Sequence, residues 1–170
     1  MSQKQKGFSL IELLIVVAII LIIAAIAIPN LLRAKMAANE ASAVGSMRSI
    51  STAEIGYSTN YPASGFSVDL ASLGGSAALC ATATGATATS ACLIDDTLAT
   101  AITAGTARSG YFFTYATTAP ASGTIVTAYT ITGTPANPGV TGQSYFFADQ
   151  LGVIRKGING PASLGSSPIQ

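Results

Sequence analysis

Histidine is absent from this chain of 170 residues, and charged residues make up only 9% of it. Without histidine, neither a Ser-His-Asp triad nor a Cys-His pair can form. Two cysteines are too few ligands for a structural zinc site. No Gly-rich phosphate loop ending in Lys-Ser or Lys-Thr occurs. The sequence therefore predicts that the protein is not an enzyme and holds no cofactor or metal. Calcium at Asp95 and Asp96, or near Asp149, is the alternative, although a helix start also explains the adjacent pair.

The positive and negative charges nearly balance, with a net charge of +1 for the whole chain. Such a balance gives no electrostatic footprint for nucleic acid, so we predict no nucleic-acid partner. Low charge combined with much Ala, Thr and Gly suits a surface that packs against copies of itself.

An uncharged and largely apolar segment covers the 20 residues from Leu13 to Leu32. A helix of that length spans roughly 30 Å, the thickness of a bilayer core. In a helix, most of this segment would have apolar side chains on every side, which is typical of a helix in lipid or in a wholly buried core. Lys4 and Lys6 precede it and favour a cytoplasmic amino terminus, although Arg33 and Lys35 on the far side weaken that bias. We predict a single membrane-spanning segment with its amino terminus in the cytoplasm.

A short basic leader ends at Gly7, and a single acid, Glu12, lies at the leading end of the apolar segment. An ordinary signal peptide, cleaved near Ala41-Ser42-Ala43, is one alternative, and a simple membrane anchor is another. The apolar segment is too long for a typical signal core. Neither alternative accounts for Gly7-Phe8 or for Glu12.

Residues Gly7 to Glu12 resemble the processing site of type IV pilins and of the pseudopilins of type II secretion. The resemblance implies cleavage between Gly7 and Phe8 by a prepilin peptidase, followed by methylation of the new amino group of Phe8. Glu12 lies four positions after Phe8, so a contact with the new amino group of the same chain is one alternative; the resemblance implies instead that Glu12 of one subunit meets the amino terminus of a neighbour as the subunit enters a filament. Because an unpaired carboxylate in a dry core is costly, such a pair would fix the axial register between subunits.

Pro29 interrupts a helical pattern that extends from Phe8 to about Tyr57. A proline removes one backbone hydrogen bond and crowds the carbonyl of Ala25, at a cost of about 3 kcal/mol. We predict a weak point that bends or melts when the subunit packs, as the resemblance implies for related filaments. A mild kink is the alternative.

The second part of the predicted helix, residues 33–57, carries an apolar stripe at helical spacing. The stripe consists of Val44, Met47, Ser51 and Ile55, with Met36 and Ile50 near the same face. The charged side chains fall elsewhere on the helix, and they are Arg33, Lys35, Glu40, Arg48 and Glu54. We predict that this stripe packs on a sheet.

After the helix we predict a loop over 58–107, a sheet over 108–156 and a loose surface tail over 157–170. Within the loop, residues 93–102 favour a short helix capped by Asp95 or Asp96 and stopped by Gly105. High densities of β-branched and aromatic residues predict four antiparallel strands in two hairpins. They are Gly110–Tyr115, Thr124–Ile131, Ser144–Ala148 and Gly152–Arg155. The expected fold class is α+β, with the long helix packed on a four-stranded sheet as in the type IV pilin fold. The domain organisation is then a leader over 1–7, a transmembrane helix over 8–32 and a pilin domain over 33–170.

Cys80 and Cys92 are the only cysteines, and both fall in the part that we predict to be exported. An oxidising compartment favours a disulfide between them, which would contribute about 3 kcal/mol by closing a short loop. A pair of free thiols is the alternative.

These features predict a structural subunit of a type IV pilus, a homo-oligomeric helical filament that supports adhesion and surface motility. The subunit would wait in the inner membrane for the prepilin peptidase and assembly machinery, and then become extracellular. The alternative is a pseudopilin of type II secretion. Major pseudopilins tend to carry an acid-rich calcium loop near the carboxyl terminus, whereas residues 151–170 contain no acid. A third class is a membrane-anchored binding module that never polymerises.

Overall fold

The computed structural model describes residues 8–82, 85–118, 125–158 and 160–169. The predicted leader, including Gly7, and the predicted hairpin link at 119–123 lie outside the described residues. The chain divides into two compact units, Met1–Lys35 and Met36–Gln170.

A single helix, α1, covers Leu10–Asn60 and continues through Pro29. It begins where the N–H of Leu13 donates to the carbonyl of Ser9, at 3.2 Å. It ends three residues beyond the predicted end at Tyr57, immediately before Tyr61-Pro62, because a residue that precedes proline disfavours the helical conformation. Within α1, an 18-residue window has a mean hydropathy of 3.3, and none of that window is buried. By length and composition, α1 is therefore able to cross a membrane.

Five antiparallel strands form one sheet in the order β1-β2-β3-β4-β5, so each strand pairs with its neighbour along the chain. The strands are β1 Tyr111–Thr118, β2 Ala128–Pro135, β3 Ser144–Asp149, β4 Arg155–Ile158 and β5 Ser167–Pro168. The α+β class is confirmed, but the sheet has five strands rather than the predicted four.

The fourth strand was predicted too early in the chain. It begins at Arg155 because the preceding residues form the turn out of β3. The N–H of Gly152 donates to the carbonyl of Asp149, and Gly152 adopts a φ of +74°, which glycine tolerates. The carboxylate of Asp149 also accepts from the N–H of Leu151, at 3.0 Å.

The tail was predicted to lie loosely on the surface, and that prediction is wrong. Lys156 pairs with Ser167 and Arg155 with Pro168 in the β4–β5 ladder. The N–H of Ile169 donates to the carbonyl of Ile154, at 2.8 Å. Backbone hydrogen bonds therefore fix the tail to the sheet.

The core of the second unit joins the later part of α1 to one face of the sheet. Met47 and Ile50 are buried, as the predicted stripe requires. Ile55, in contrast, is 65% exposed, and Glu54, which the predicted stripe does not include, is fully buried. The buried helix face consists of Ala43, Met47, Ile50, Ala53, Glu54 and Tyr57. It packs in one cluster with sheet residues that include Phe113, Ile131 and Phe146.

The loop between α1 and the sheet contains two short helices, α2 Ala77–Cys80 and α3 Asp96–Ala99. Asp95 occupies the N-cap position of α3, one of the two predicted caps, but its carboxylate makes no capping bond. The helix ends before Gly105, which instead lies within a 3-10 turn, Ala104–Thr106.

Candidate assembly site

Glu12 lies in the first turn of α1, where its carboxylate has one local hydrogen bond. The N–H of Ser9 donates to Oε2 of Glu12 at 3.1 Å. Ser9 also supplies the carbonyl that accepts the first helical hydrogen bond, from Leu13. This is the acidic half of a capping box, in which a residue three positions into the helix reaches back to the cap. The structure therefore gives Glu12 a local structural role that the sequence prediction did not include.

No cationic partner of Glu12 occurs in the part of the chain that the structure describes. The ion pairs there join Arg108 to Asp95 and Lys156 to Glu40. Glu12 is exposed, and so is Phe8, with 82% of its surface accessible. The pairing of Glu12 with a neighbour's amino terminus stays a prediction, and the exposed carboxylate is available for it.

The first part of α1 exposes its apolar side chains on every side. Each of its large aliphatic residues exposes about half of its surface or more. They include Leu10, Ile15, Val17, Ile19, Leu21, Ile26, Ile28 and Leu31. A surface of this kind is unstable in water, so it requires lipid or other apolar helices around it. Pro29 lies within this exposed segment without ending the helix, and its predicted bending or melting on packing stays a prediction.

Glu54 is a buried acid that sequence reasoning missed. Oε2 accepts from the N–H of Ser67 at 3.0 Å, and Oε1 accepts from the hydroxyl of Ser67 at 2.5 Å. Oε1 also accepts from the hydroxyl of Tyr115 in β1, at 2.6 Å. Burial, followed by the hydrogen bond to Glu54, raises the pKa of Tyr115 well above its usual value. The carboxylate thus joins α1, the following loop and β1.

Glu40 forms a second junction between α1 and the sheet. Its Oε1 accepts from the N–H groups of Gln143 and Ser144, at 3.0 and 3.1 Å. Its Oε2 accepts from the hydroxyl of Ser144 and from Nζ of Lys156, at 2.8 and 3.3 Å. Burial opposes ionisation, but these hydrogen bonds and the Lys156 charge outweigh it and lower the pKa of Glu40. The neighbouring Asn39 donates its amide to the carbonyl of Thr141, at 2.9 Å.

A disulfide joins Cys80 at the end of α2 to Cys92, with the Cα atoms 5.7 Å apart. Gly75 packs against this bond, because a Cβ built there would lie 2.7 and 2.8 Å from the two sulfur atoms. Glycine is therefore required for the loop to approach the bond. The bond is present as the sequence predicts, 12 residues apart in the chain.

Among the described residues, no group of three or more His, Cys, Asp or Glu side chains is arranged to hold a metal ion. Asp95, one of the candidate calcium ligands, instead pairs with Arg108 and accepts from the hydroxyl of Thr97. Burial opposes its ionisation, but the contacts with Thr97 and Arg108 outweigh this and lower the pKa of Asp95.

Comparison with known proteins finds similarity over part of the chain. The family model described as the prokaryotic N-terminal methylation motif matches residues 2–28. The type IV wide pilus major component of Thermus thermophilus is 63% identical over 38 residues. That match covers 22% of this chain and 29% of the relative, so it spans less than a third of the relative's length. No solved structure matches the chain.

Proposed function

We propose that the protein is a structural subunit of a type IV pilus. The proposal starts from the prepilin-type segment at the amino terminus of this chain, which is typical of the type IV pilin family. A prepilin peptidase cleaves between Gly7 and Phe8, and the new amino group of Phe8 is methylated. The subunit waits in the inner membrane with its amino terminus on the cytoplasmic side. It then enters a homo-oligomeric filament on the cell surface, where it supports adhesion or motility.

The observation that carries this proposal is that the methylation motif overlaps the exposed, apolar part of α1. The motif covers residues 2–28, and the helix that follows Ser9 is long and apolar enough to span a bilayer. The same surface that lipid covers before assembly is available to apolar helices of other copies afterwards. Transfer from lipid to a helical bundle keeps this surface away from water throughout.

Glu12 acts as a register residue in this proposal. Its carboxylate lies at the edge of an apolar segment, where such groups are costly and tend to be functional. The local bond from the N–H of Ser9 satisfies one carboxylate oxygen without neutralising the charge. The methylated amino group of a neighbouring Phe8 supplies the missing positive charge only at one axial offset.

The processing step is tested by measuring the mass of the mature protein. The expected product begins with methylated Phe8. A chain that begins after Ala43 would instead identify an ordinary signal peptide and contradict the proposal.

Isolating surface filaments and identifying their main protein by mass spectrometry distinguishes a pilus subunit from a pseudopilin. Long surface filaments composed of this chain support the pilus proposal. Cells that lack surface filaments, but lose protein secretion when the gene is deleted, would identify a pseudopilin.

A further inference from the structure

The loop between β2 and β3, residues 136–143, is fixed to the part of α1 with which the second unit begins. The side-chain amide of Asn39 donates to the carbonyl of Thr141, at 2.9 Å. The N–H of Gln143 donates to Oε1 of Glu40, at 3.0 Å. The loop therefore lies at the end of the second unit where the chain enters it from the apolar segment.

The turn after β3 lies at the opposite end of the sheet. The hydroxyl of Tyr115 donates to Glu54, which comes later in α1 than Asn39. Through β2, the sheet row of Tyr115 reaches Ala148, near the end of β3. The turn that follows holds Gln150, and the length of β3, about 20 Å, separates it from the β2–β3 loop.

The β2–β3 loop and Ile158, together called the entry end, expose two aliphatic side chains on an ordered backbone. Val140, near the middle of the loop, is 60% exposed, and Ile158, the last residue of β4, is 68% exposed. Ile158 pairs in the ladder with the first residue of β3, so it lies at the same end of the sheet as the loop. The N–H groups of Val140 and Thr141 both donate to the carbonyl of Asn137, at 3.0 and 2.9 Å. The loop contains no charged residue.

Few residues separate the entry end from the apolar segment. Asn39 follows Leu32 by seven positions within α1, and a helix of that length rises about 10 Å. Each headgroup layer of a bilayer is about 5–7 Å thick. Arg33 and Lys35 are the first charged residues after the apolar segment, and such residues favour the headgroup layer. When the segment spans a bilayer, Asn39 therefore lies at the outer boundary of the headgroups.

We propose that the entry end docks on the lipid headgroups of the membrane that the apolar segment spans, with Val140 and Ile158 inserted between them. The proposal rests on the membrane stage of the proposed function. Insertion removes the two aliphatic side chains from water. Because the loop is already ordered, little conformational entropy is lost on docking. Its lack of acidic groups avoids repulsion by anionic lipids.

Tryptophan fluorescence tests the contact, because the chain contains no tryptophan of its own. Gln143→Trp places a reporter in the entry end, and Gln150→Trp places a matched reporter in the turn after β3, where both glutamines are exposed. The full chain is reconstituted into vesicles of phosphatidylethanolamine and phosphatidylglycerol with acyl chains brominated near the headgroup. We expect Gln143→Trp to lose about half of its intensity or more, because docked apolar groups lie roughly 5–10 Å into the headgroup–acyl boundary. We expect Gln150→Trp to keep its intensity, and equal quenching of the two reporters would overturn the proposal.

Charge substitutions test the aliphatic contact itself in the Gln143→Trp background. Val140→Asp combined with Ile158→Asp places charges where we propose insertion. Leu151→Asp places a charge on a residue that is 72% exposed in the turn after β3. We expect quenching to be lost in the first variant and kept in the second. All three positions are exposed, so the fold should be unchanged, and near-UV circular dichroism checks this. Full quenching in the first variant would refute the contact.

The outcome for the entry end is distinguishable from the outcome for the membrane stage of the proposed function. Ile22→Trp places a reporter within the apolar segment, where lipids brominated deep in the acyl chain quench it if the segment is inserted. Quenching of Ile22→Trp without quenching of Gln143→Trp supports the membrane stage and refutes the docking. If Ile22→Trp is not quenched, the membrane stage fails, and the docking fails with it. A blue shift of Gln143→Trp emission that appears only in isolated filaments would identify a second copy as the partner and refute the lipid contact.

Discussion

The two parts of α1 have the same helical backbone conformation, but only the later part buries apolar side chains. Up to Lys35, the helix exposes its large aliphatic residues on all sides. From Met36 onward, it buries one face against its own sheet, through residues such as Met47, Ile50 and Tyr57. The earlier part therefore depends on its surroundings for a core, whereas the later part has a core of its own.

The acidic residues of the two parts also differ in how many contacts they receive from the rest of the chain. Glu12 contacts only the backbone of Ser9. Glu40 and Glu54 each receive several donors from the rest of the second unit, some of them more than 60 residues away in the chain. Glu40 and Glu54 therefore have defined partners within the second unit, whereas we propose that the partner of Glu12 comes from another subunit. Four predictions test this difference, beginning with the largest expected effect.

Replacement of Glu12 by Ala tests whether the earlier part depends on a partner from another copy. Loss of the charge should make membrane insertion easier. It also leaves a buried amino group of the neighbour without its partner, at a cost of about 3 kcal/mol or more for each added subunit. We expect filament yield to fall more than about 100-fold, while correctly cleaved protein accumulates in the membrane. The measurement is filament yield against membrane-pool abundance in cells that make only the variant.

Glu12→Gln is the control that separates pairing from helix capping. Glutamine can accept the N–H of Ser9 as glutamate does, but it carries no charge. If capping were the role of Glu12, Glu12→Gln would assemble normally. Normal assembly of either variant contradicts the pairing mechanism.

Glu54→Ala tests whether the later part depends on its own internal contacts. The substitution leaves the buried N–H of Ser67 without its acceptor and removes the shorter hydrogen bonds of the Ser67 and Tyr115 hydroxyls, which keep the carbonyls of Asp69 and Ser67 as acceptors. We expect a loss of about 3–5 kcal/mol in the free energy of unfolding of the second unit. Urea unfolding, followed by the near-UV circular dichroism of the tyrosines, measures it. Asp96→Asn, at an exposed position, is the control and should stay within about 0.5 kcal/mol of the parent.

Removal of the disulfide by the double substitution Cys80→Ser and Cys92→Ser should cost the second unit about 3 kcal/mol. Because the bond lies in the loop between α1 and the sheet, we expect lower unfolding stability with unchanged register between subunits. The measurements are urea unfolding and the helical repeat of filaments in electron micrographs. A changed repeat at unchanged stability would contradict this assignment.

Lowering the pH should weaken the contacts of Glu40 before it affects the contacts of the earlier, apolar part of α1. The folded pKa of Glu40 lies below its usual value, so its contribution is present above the unfolded pKa of about 4.5. That contribution is lost as the pH falls through the lower folded pKa. The titratable groups that face Glu40 are Lys156 and Tyr111. Unfolding stability measured from pH 6 to pH 3 should fall less in Glu40→Gln than in the parent, and equal slopes would contradict the assignment.

Local features of the sequence predicted the elements well where a pattern is long and continuous. The apolar segment, the helical pattern up to Tyr57 and the aromatic strands around Tyr111 and Phe146 all have strong local signals. The N-terminal motif was recognisable for the same reason, since its residues are adjacent in the chain. The disulfide was predictable because only two cysteines exist.

Contacts between distant residues were not predictable in the same way. Glu54 was left out of the predicted apolar stripe because it is an acid, and an acid is rarely buried unless it is paired. Its partners, Ser67 and Tyr115, lie 13 and 61 residues further along the chain, so no local pattern identifies them. Strand β5 has only two residues, Ser167 and Pro168, neither of which is a strand former, and its pairing with β4 determines its conformation.

The strand order of the sheet has a consequence for the time course of folding. Each strand pairs with the next one in the chain, so every β pairing closes a short loop and can form soon after its two strands emerge. The contact between Glu40 and Lys156 instead closes a loop of 116 residues. We expect the hairpins to form first and the later part of α1 to dock last, because long loops cost more entropy to close. Until that docking occurs, the face around Met47 and Ile50 has no sheet to cover it, and we expect the chain to be most vulnerable to proteases at that stage.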